Sequence, residues 1–101
     1  MIDVDAEYEG TEVEILDGGV KRELFFDRGA AWQYTKTEMR RAELPEAVTA
    51  AWAVSEYAGW EFDGADYLQT PDGAWYALEL EEERTDREVT LRIAENGTIL
   101  G

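Results

Sequence analysis

Apolar and polar residues alternate along much of this chain, and a period of two marks a strand with one buried face. Val13 and Ile15 alternate with Glu12 and Glu14. Asp17-Gly18-Gly19 reads as a turn. In the KRELFFDR stretch that follows, Leu24 and Phe26 share one face, with Glu23, Phe25 and Asp27 on the other. Setting Ile15 against Leu24 and Val13 against Phe26 joins the two apolar sets in one hairpin. A third strand carries Trp32 and Tyr34 on one face. Then the period changes. Leu44, Val48, Ala51, Trp52 and Ser55 recur at helical spacing, which predicts one helix over Leu44–Ala58. Pro45 suits its first position, Glu43 and Glu46 complement the positive end of its dipole, and Gly59 supplies a stop.

Alternation resumes after the helix. Asp72-Gly73 is a strong hairpin signal. A two-residue loop there sets Tyr67 against Leu78 and Ala65 against Leu80. A turn at Glu83–Asp86 sets Leu80 against Val89, Leu78 against Leu91 and Tyr76 against Ile93. Two independently chosen turns thus place Tyr67, Tyr76, Leu78, Leu80, Val89, Leu91 and Ile93 on one face. Glu95-Asn96-Gly97 turns into a short TIL strand. The chain also echoes itself: Val13 and Ile15 match Leu78 and Leu80, Leu24 and Phe26 match Leu91 and Ile93, and Trp32 matches Leu100. The expected architecture is a single α+β domain, 1–101. Its antiparallel sheet has six or seven strands in the order β-β-β-α-β-β-β-β, with one α-helix packed on one face. Residues 12–39 form a three-strand partial repeat, and 44–100 a repeat of helix plus strands.

Charge narrows the function classes. The formal net charge is −15, from 24 acidic against 9 basic residues. That disfavours nucleic-acid phosphate and anionic membranes as partners. No apolar run is long enough to span a bilayer. The start, MIDVDAEYEG, lacks the basic and apolar regions of a leader peptide. There is no cysteine and no histidine, which removes the commonest general base and zinc ligand. The single serine, Ser55, therefore has no histidine to activate it. Carboxylates are paired throughout, as in Glu12 with Glu14 and Glu79 with Glu81, and a solvated polar face explains them. Acid–base catalysis by such a pair requires a pocket that desolvates one member. DVDAEYEG has a loose calcium-loop look but lacks the later bidentate glutamate. No catalytic residue, metal ligand or cofactor is assigned. A cation- or small-ligand-binding domain using the acidic surface is the alternative to a protein-binding role.

The aromatics divide by face. Trp52, Tyr67, Tyr76, Trp32 and Phe26 are expected in the core, and Trp60 where the helix ends. Trp75, Leu68, Ala77 and Phe25 fall on the opposite side of the sheet, which an antiparallel fold can leave wet. Glu79, Glu81, Asp66 and Arg92 ring Trp75 and Leu68. An aromatic centre with a charged rim is the composition of a protein contact site.

These residues resemble a known family. LPEAVTAAWAVSEYAGWEF, followed by ADYLQTPDGAWYALELEEERTDREVTLRIAENGTIL, is similar to the PepSY-like domains of bacterial cell-envelope proteins, whose fold is like that of β-lactamase inhibitor protein. Leu44, Pro45 and Val48 match the family's helix opening. Tyr57, Gly59 and Trp60 match its exit, with Ala58 where proline is usual. Thr70, Asp72, Gly73, Tyr76, Leu78 and Leu80 match its hairpin, and Glu95, Asn96 and Gly97 its end. The match covers Leu44–Leu100; residues 12–39 look like a preceding copy without its own helix. The resemblance implies a periplasmic or secreted, non-enzymatic module that binds a protein, such as an enzyme it inhibits. The family motif names no inhibitory residue.

Overall fold

The computed structural model describes Met1–Gly101. Seven strands form one sheet, each paired antiparallel with its neighbours in sequence. They are β1 (Ile2–Glu7), β2 (Gly10–Asp17), β3 (Val20–Asp27), β4 (Trp32–Met39), β5 (Glu61–Thr70), β6 (Gly73–Glu81) and β7 (Glu88–Ile93). A 3-10 turn (Arg41–Glu43) and one helix, α1 (Glu46–Ala53), separate β4 from β5. The α+β class holds, but the strands divide four before the helix and three after. The acidic start forms β1, pairing Ile2 with Ile15 and Val4 with Val13. The expected final strand is reduced to one bridge, Ile93 to Ile99.

Turn chemistry decided the registers. At the first hairpin Asp17 pairs with Val20, leaving Gly18 and Gly19 as the loop, with φ of 57° and 81°. Two consecutive left-handed residues twist with the strands, and glycine adopts them without a Cβ penalty. The strands therefore slide by two residues from the expected register, and Val13 faces Leu24 while Ile15 faces Arg22. At the β5–β6 hairpin the loop is Pro71-Asp72 rather than Asp72-Gly73. Tyr67 consequently faces Tyr76, and Ala65 faces Leu78. A slip of two keeps every side chain on its face, so both apolar sets survive it. The β6–β7 register is as expected, with Leu80 on Val89, Leu78 on Leu91 and Tyr76 on Ile93.

α1 is shorter than its periodicity suggested. Pro45 (φ −58°, ψ 148°) is the N-cap rather than the first helical residue; its carbonyl accepts from the Val48 and Thr49 N–H groups. At the other end Ser55 Oγ donates to the Trp52 carbonyl at 2.7 Å. A serine hydroxyl competing for a helical carbonyl favours termination, and Tyr57 N–H returns a bond to the same Oγ. The chain thus leaves the helix well before Gly59.

The core lies under α1. Leu44, Val48 and Trp52 pack on Ala65, Tyr76, Leu78, Leu80, Leu91 and Ile93, all buried. Trp52 is fixed on three sides: its Nε1–H donates to the Tyr57 carbonyl at 2.8 Å, its ring lies 5.9 Å from Phe62, and Arg41 stacks at 4.6 Å. Phe26 and Trp32, expected in the core, are not part of it. They lie beyond the reach of the single helix, and Trp32 is 36% exposed. Trp60 meets Tyr57 edge-on at 5.0 Å where the chain leaves the helix.

Gly97 closes the C-terminal turn against α1. Its φ is 93°, and a Cβ there would lie 2.9 Å from the Ala47 carbonyl oxygen. Gly97→Ala combines a left-handed backbone with that clash, so a loss of about 1–3 kcal/mol is expected. Urea unfolding checks it; an unchanged midpoint would show that the turn is free to move.

Candidate functional site: the helix-free face of the sheet

Strand pairing carries the site residues to one place. On the face away from α1, Lys36 pairs with Leu68 and Leu68 with Trp75. One row over, Asp66 pairs with Ala77 and Ala77 with Arg92. The Arg92 guanidinium lies 5.8 Å from the Trp75 ring centroid, within cation–π range. Lys36 reaches Asp66 at 3.8 Å. Trp75, Leu68, Ala77, Glu79 and Arg92 border one open depression of about 560 Å³.

Phe25 lies outside this depression. It pairs with Tyr34 across β3–β4, and the two rings stack at 5.6 Å with an 18° interplanar angle. Tyr34 and Lys36 line the depression as well, so β4 contributes a wall that sequence reasoning missed. An irregularity at Phe25/Phe26 conceals it: Phe26 pairs with Trp32, but Phe25 pairs with Tyr34. One extra residue in β4 sends Trp32 to the helix side and Tyr34 to the other, although a strict period of two puts both on one face. The signal that could have found Tyr34 is the pairing of Lys36 with Leu68.

The charged lining of the depression is balanced, Asp66 and Glu79 against Lys36 and Arg92, and acids gather outside it. Glu12, Glu14 and Glu23 bring carboxylate oxygens within 4.8 Å of one another, as do Asp63, Glu81 and Glu88. Lys21 bridges Glu14 at 3.4 Å and Glu23 at 3.7 Å. Glu81 therefore belongs to the Asp63 cluster at the sheet's end rather than to the ring around Trp75. A second open pocket of about 270 Å³ beside the depression gathers Glu23, Glu38, Asp63, Asp66 and Glu79 with Lys21 and Lys36.

Crowding shifts these groups. Burial pushes the Asp66 carboxyl up, Lys36 opposes the shift, and Glu79 and Glu38 add to it. Burial also raises Glu12, helped by a hydrogen bond to Glu7 and the charge of Glu23. The hydrogen bond to Asp63 raises Glu81, with burial second. Tyr34 is raised by burial and by Glu12. A carboxyl whose folded pKa exceeds its unfolded value binds more protons when folded. Its stabilisation is full below the unfolded pKa and is lost as pH rises through the folded one. Glu43, held down by the Arg40 backbone N–H, acts oppositely, but only below the ordinary glutamate range. The melting midpoint is therefore expected to rise as pH falls from neutrality toward the ordinary carboxylate range, and relief of the net negative charge adds to this. Calorimetry across that range checks it; a falling midpoint would contradict the assignment.

No helix is long and apolar enough to cross a membrane. No protein-family profile matches the chain, and no curated protein does. Solved structures do. A DUF2874 family protein from Bacteroides uniformis superposes with a TM-score of 0.90 at 22% identity, covering 99% of this chain and 74% of that one. A BLIP-like protein from Bacteroides fragilis gives 0.88 at 26% identity, covering 99% and 71%. A protein from Bacteroides eggerthii, provisionally described as periplasmic, gives 0.88 at 19% identity, covering 99% and 73%. The fold is thus BLIP-like.

Proposed function

We propose that this chain is a non-enzymatic, exported binding module of the PepSY-like kind, which docks a protein partner on the helix-free face around Trp75. One observation carries the reading. On a strand face that is otherwise mostly charged, Trp75 and Leu68 sit side by side, half-buried, with Arg92 over the ring. Tyr34 and Phe25 extend the aromatic surface across two more strands. Aromatic residues and arginine inside a polar rim are what interface hot spots are made of. The BLIP-like neighbour supports a protein partner, and the B. eggerthii neighbour supports export to the periplasm. Inhibition of an enzyme is the form of binding that the PepSY-like resemblance suggests.

The test is a pull-down from envelope extract followed by titration of the captured partner with wild type and with Trp75→Ala. A folded Trp75→Ala protein that binds at full affinity would refute the docking face. The acidic trios favour a second reading, cation binding. Millimolar calcium would then raise the melting midpoint, because a ligand of the native state alone stabilises it. No shift would eliminate that reading.

A further inference from the structure

The two edges of the sheet are guarded differently. At β7 the C-terminal segment returns along the edge. Arg92 N–H donates to the Gly101 carbonyl at 3.2 Å, and Leu100 N–H donates to the Arg92 carbonyl at 2.8 Å. β1 is the other edge. It pairs with β2 residue for residue over Ile2–Glu7, without a bulge, and contains no proline and no lysine. Bulges, prolines and lysines are the usual means by which an edge strand is kept from pairing further.

The hydrogen-bond phase of β1 defines what this edge offers. The Met1 amine donates to the Leu16 carbonyl at 3.0 Å, and Leu16 N–H donates to the Met1 carbonyl at 2.8 Å. Bonded and non-bonded pairs alternate along an antiparallel ladder. Asp3, Asp5 and Glu7 therefore also turn their backbone groups toward β2, and Ile2, Val4 and Ala6 aim theirs outward. The side chains of the outward row are apolar and exposed, Ile2 at 67% and Val4 at 59%. The row between them is acidic, and Asp3 and Asp5 are backed by Glu14 and Glu12 one strand in. An added strand thus meets apolar side chains and carboxylates at alternate positions.

From this arrangement we infer that the β1 edge is a docking site of its own, which takes an extended segment of a protein partner whose lysines or arginines alternate with apolar residues. The segment joins the sheet beside β1, the mode of recognition in which backbone bonds hold a peptide and alternate side chains select it. Its backbone bonds fall on Ile2, Val4 and Ala6, and its basic side chains lie against Asp3 and Asp5. A second copy of this chain is a poor occupant. Only outward rows can pair, so β1 against β1 sets acid opposite acid, between molecules of net charge −15. Like charges directly opposite destabilise a strand pair. The Trp75 depression is built by β4–β7, so the edge stands or falls independently of the docking face proposed above.

The probe is a synthetic peptide of about eight residues, a usual strand length, in which lysine and valine alternate. A peptide of the same composition with its lysines and valines in separate blocks carries the same charge without the alternation. The expected result is amide exchange slowed by about tenfold or more at Ile2, Val4 and Ala6 with the alternating peptide alone. Val4→Pro removes one outward N–H, a change that an edge strand tolerates, and should weaken binding by about tenfold. Asp3→Lys with Asp5→Lys should weaken it as much and serves if the proline variant does not fold. Trp75→Ala should leave it unchanged. Equal binding of the block peptide, or full binding by the folded edge variants, would show charge attraction alone and overturn the inference. A dimer of the unaltered chain that Val4→Pro dissociates also overturns it, by making a second copy the occupant.

Discussion

Trp52→Ala is expected to lower the unfolding free energy by about 3–5 kcal/mol, the range for deleting a buried large aromatic. At roughly 4–8 °C per kcal/mol for a domain of this size, the midpoint falls by about 12–40 °C. Trp52 is 4% exposed and anchors the only helix. Its loss opens a cavity against Phe62, strands the Tyr57 carbonyl and removes the platform beneath Arg41. Few other large residues hold α1 down, since its one other buried residue is Val48, with Leu44 buried just ahead of it. With a marginal total stability of about 5–15 kcal/mol, one substitution can unfold a sizeable fraction of the molecules. Trp32→Ala is the contrast. That ring is 36% exposed with no helix over it, so its cost should be far smaller when both variants are unfolded in guanidinium. Equal losses would mean that the core does not lie under α1.

Trp75→Ala is expected to weaken the protein partner by at least about 2 kcal/mol, roughly 30-fold in Kd. The ring is half-buried in the free protein, so much of its orientation is already set before a partner arrives. Leu68 flanks it across the strand and Arg92 stacks on it, which limits the rotamer freedom lost on docking. Truncation removes the centre of the patch and leaves Arg92 without its ring. Val54→Ala provides the control. Val54 is 86% exposed at the end of α1, is more exposed than Trp75, and should leave affinity unchanged. If both substitutions act alike, exposure rather than the Trp75 cluster governs binding.

Face assignment was legible in the sequence because it depends only on the parity of positions along each strand. Tyr76, Leu78, Leu80, Leu91 and Ile93 needed no knowledge of partners to be placed together, and Trp75 and Leu68 followed on the reverse side. Register was less legible. Asp17-Gly18-Gly19 and Pro71-Asp72-Gly73 each allow a loop to be set one residue either way, and backbone conformation chooses between them. β1 was obscured by its charges: Asp3 and Asp5 look like a solvated terminus until Val13 and Ile15 provide an edge for Ile2 and Val4. The core membership of Phe26 and Trp32 failed for a reason of scale. Alternation identifies a face suited to burial, but only an α1-sized cover buries it. Tyr34 was hidden by one irregular residue in β4, which alternation cannot register.

On the proposed reading the partner binds the helix-free face, and amide exchange of the complex, residue by residue, checks this. Protection is predicted to centre on Tyr34–Lys36, Asp66–Leu68 and Trp75–Ala77, with α1 unchanged. Protection confined to α1, or to the acidic ends of the sheet, with the Trp75 region exchanging as in the free protein, would contradict it.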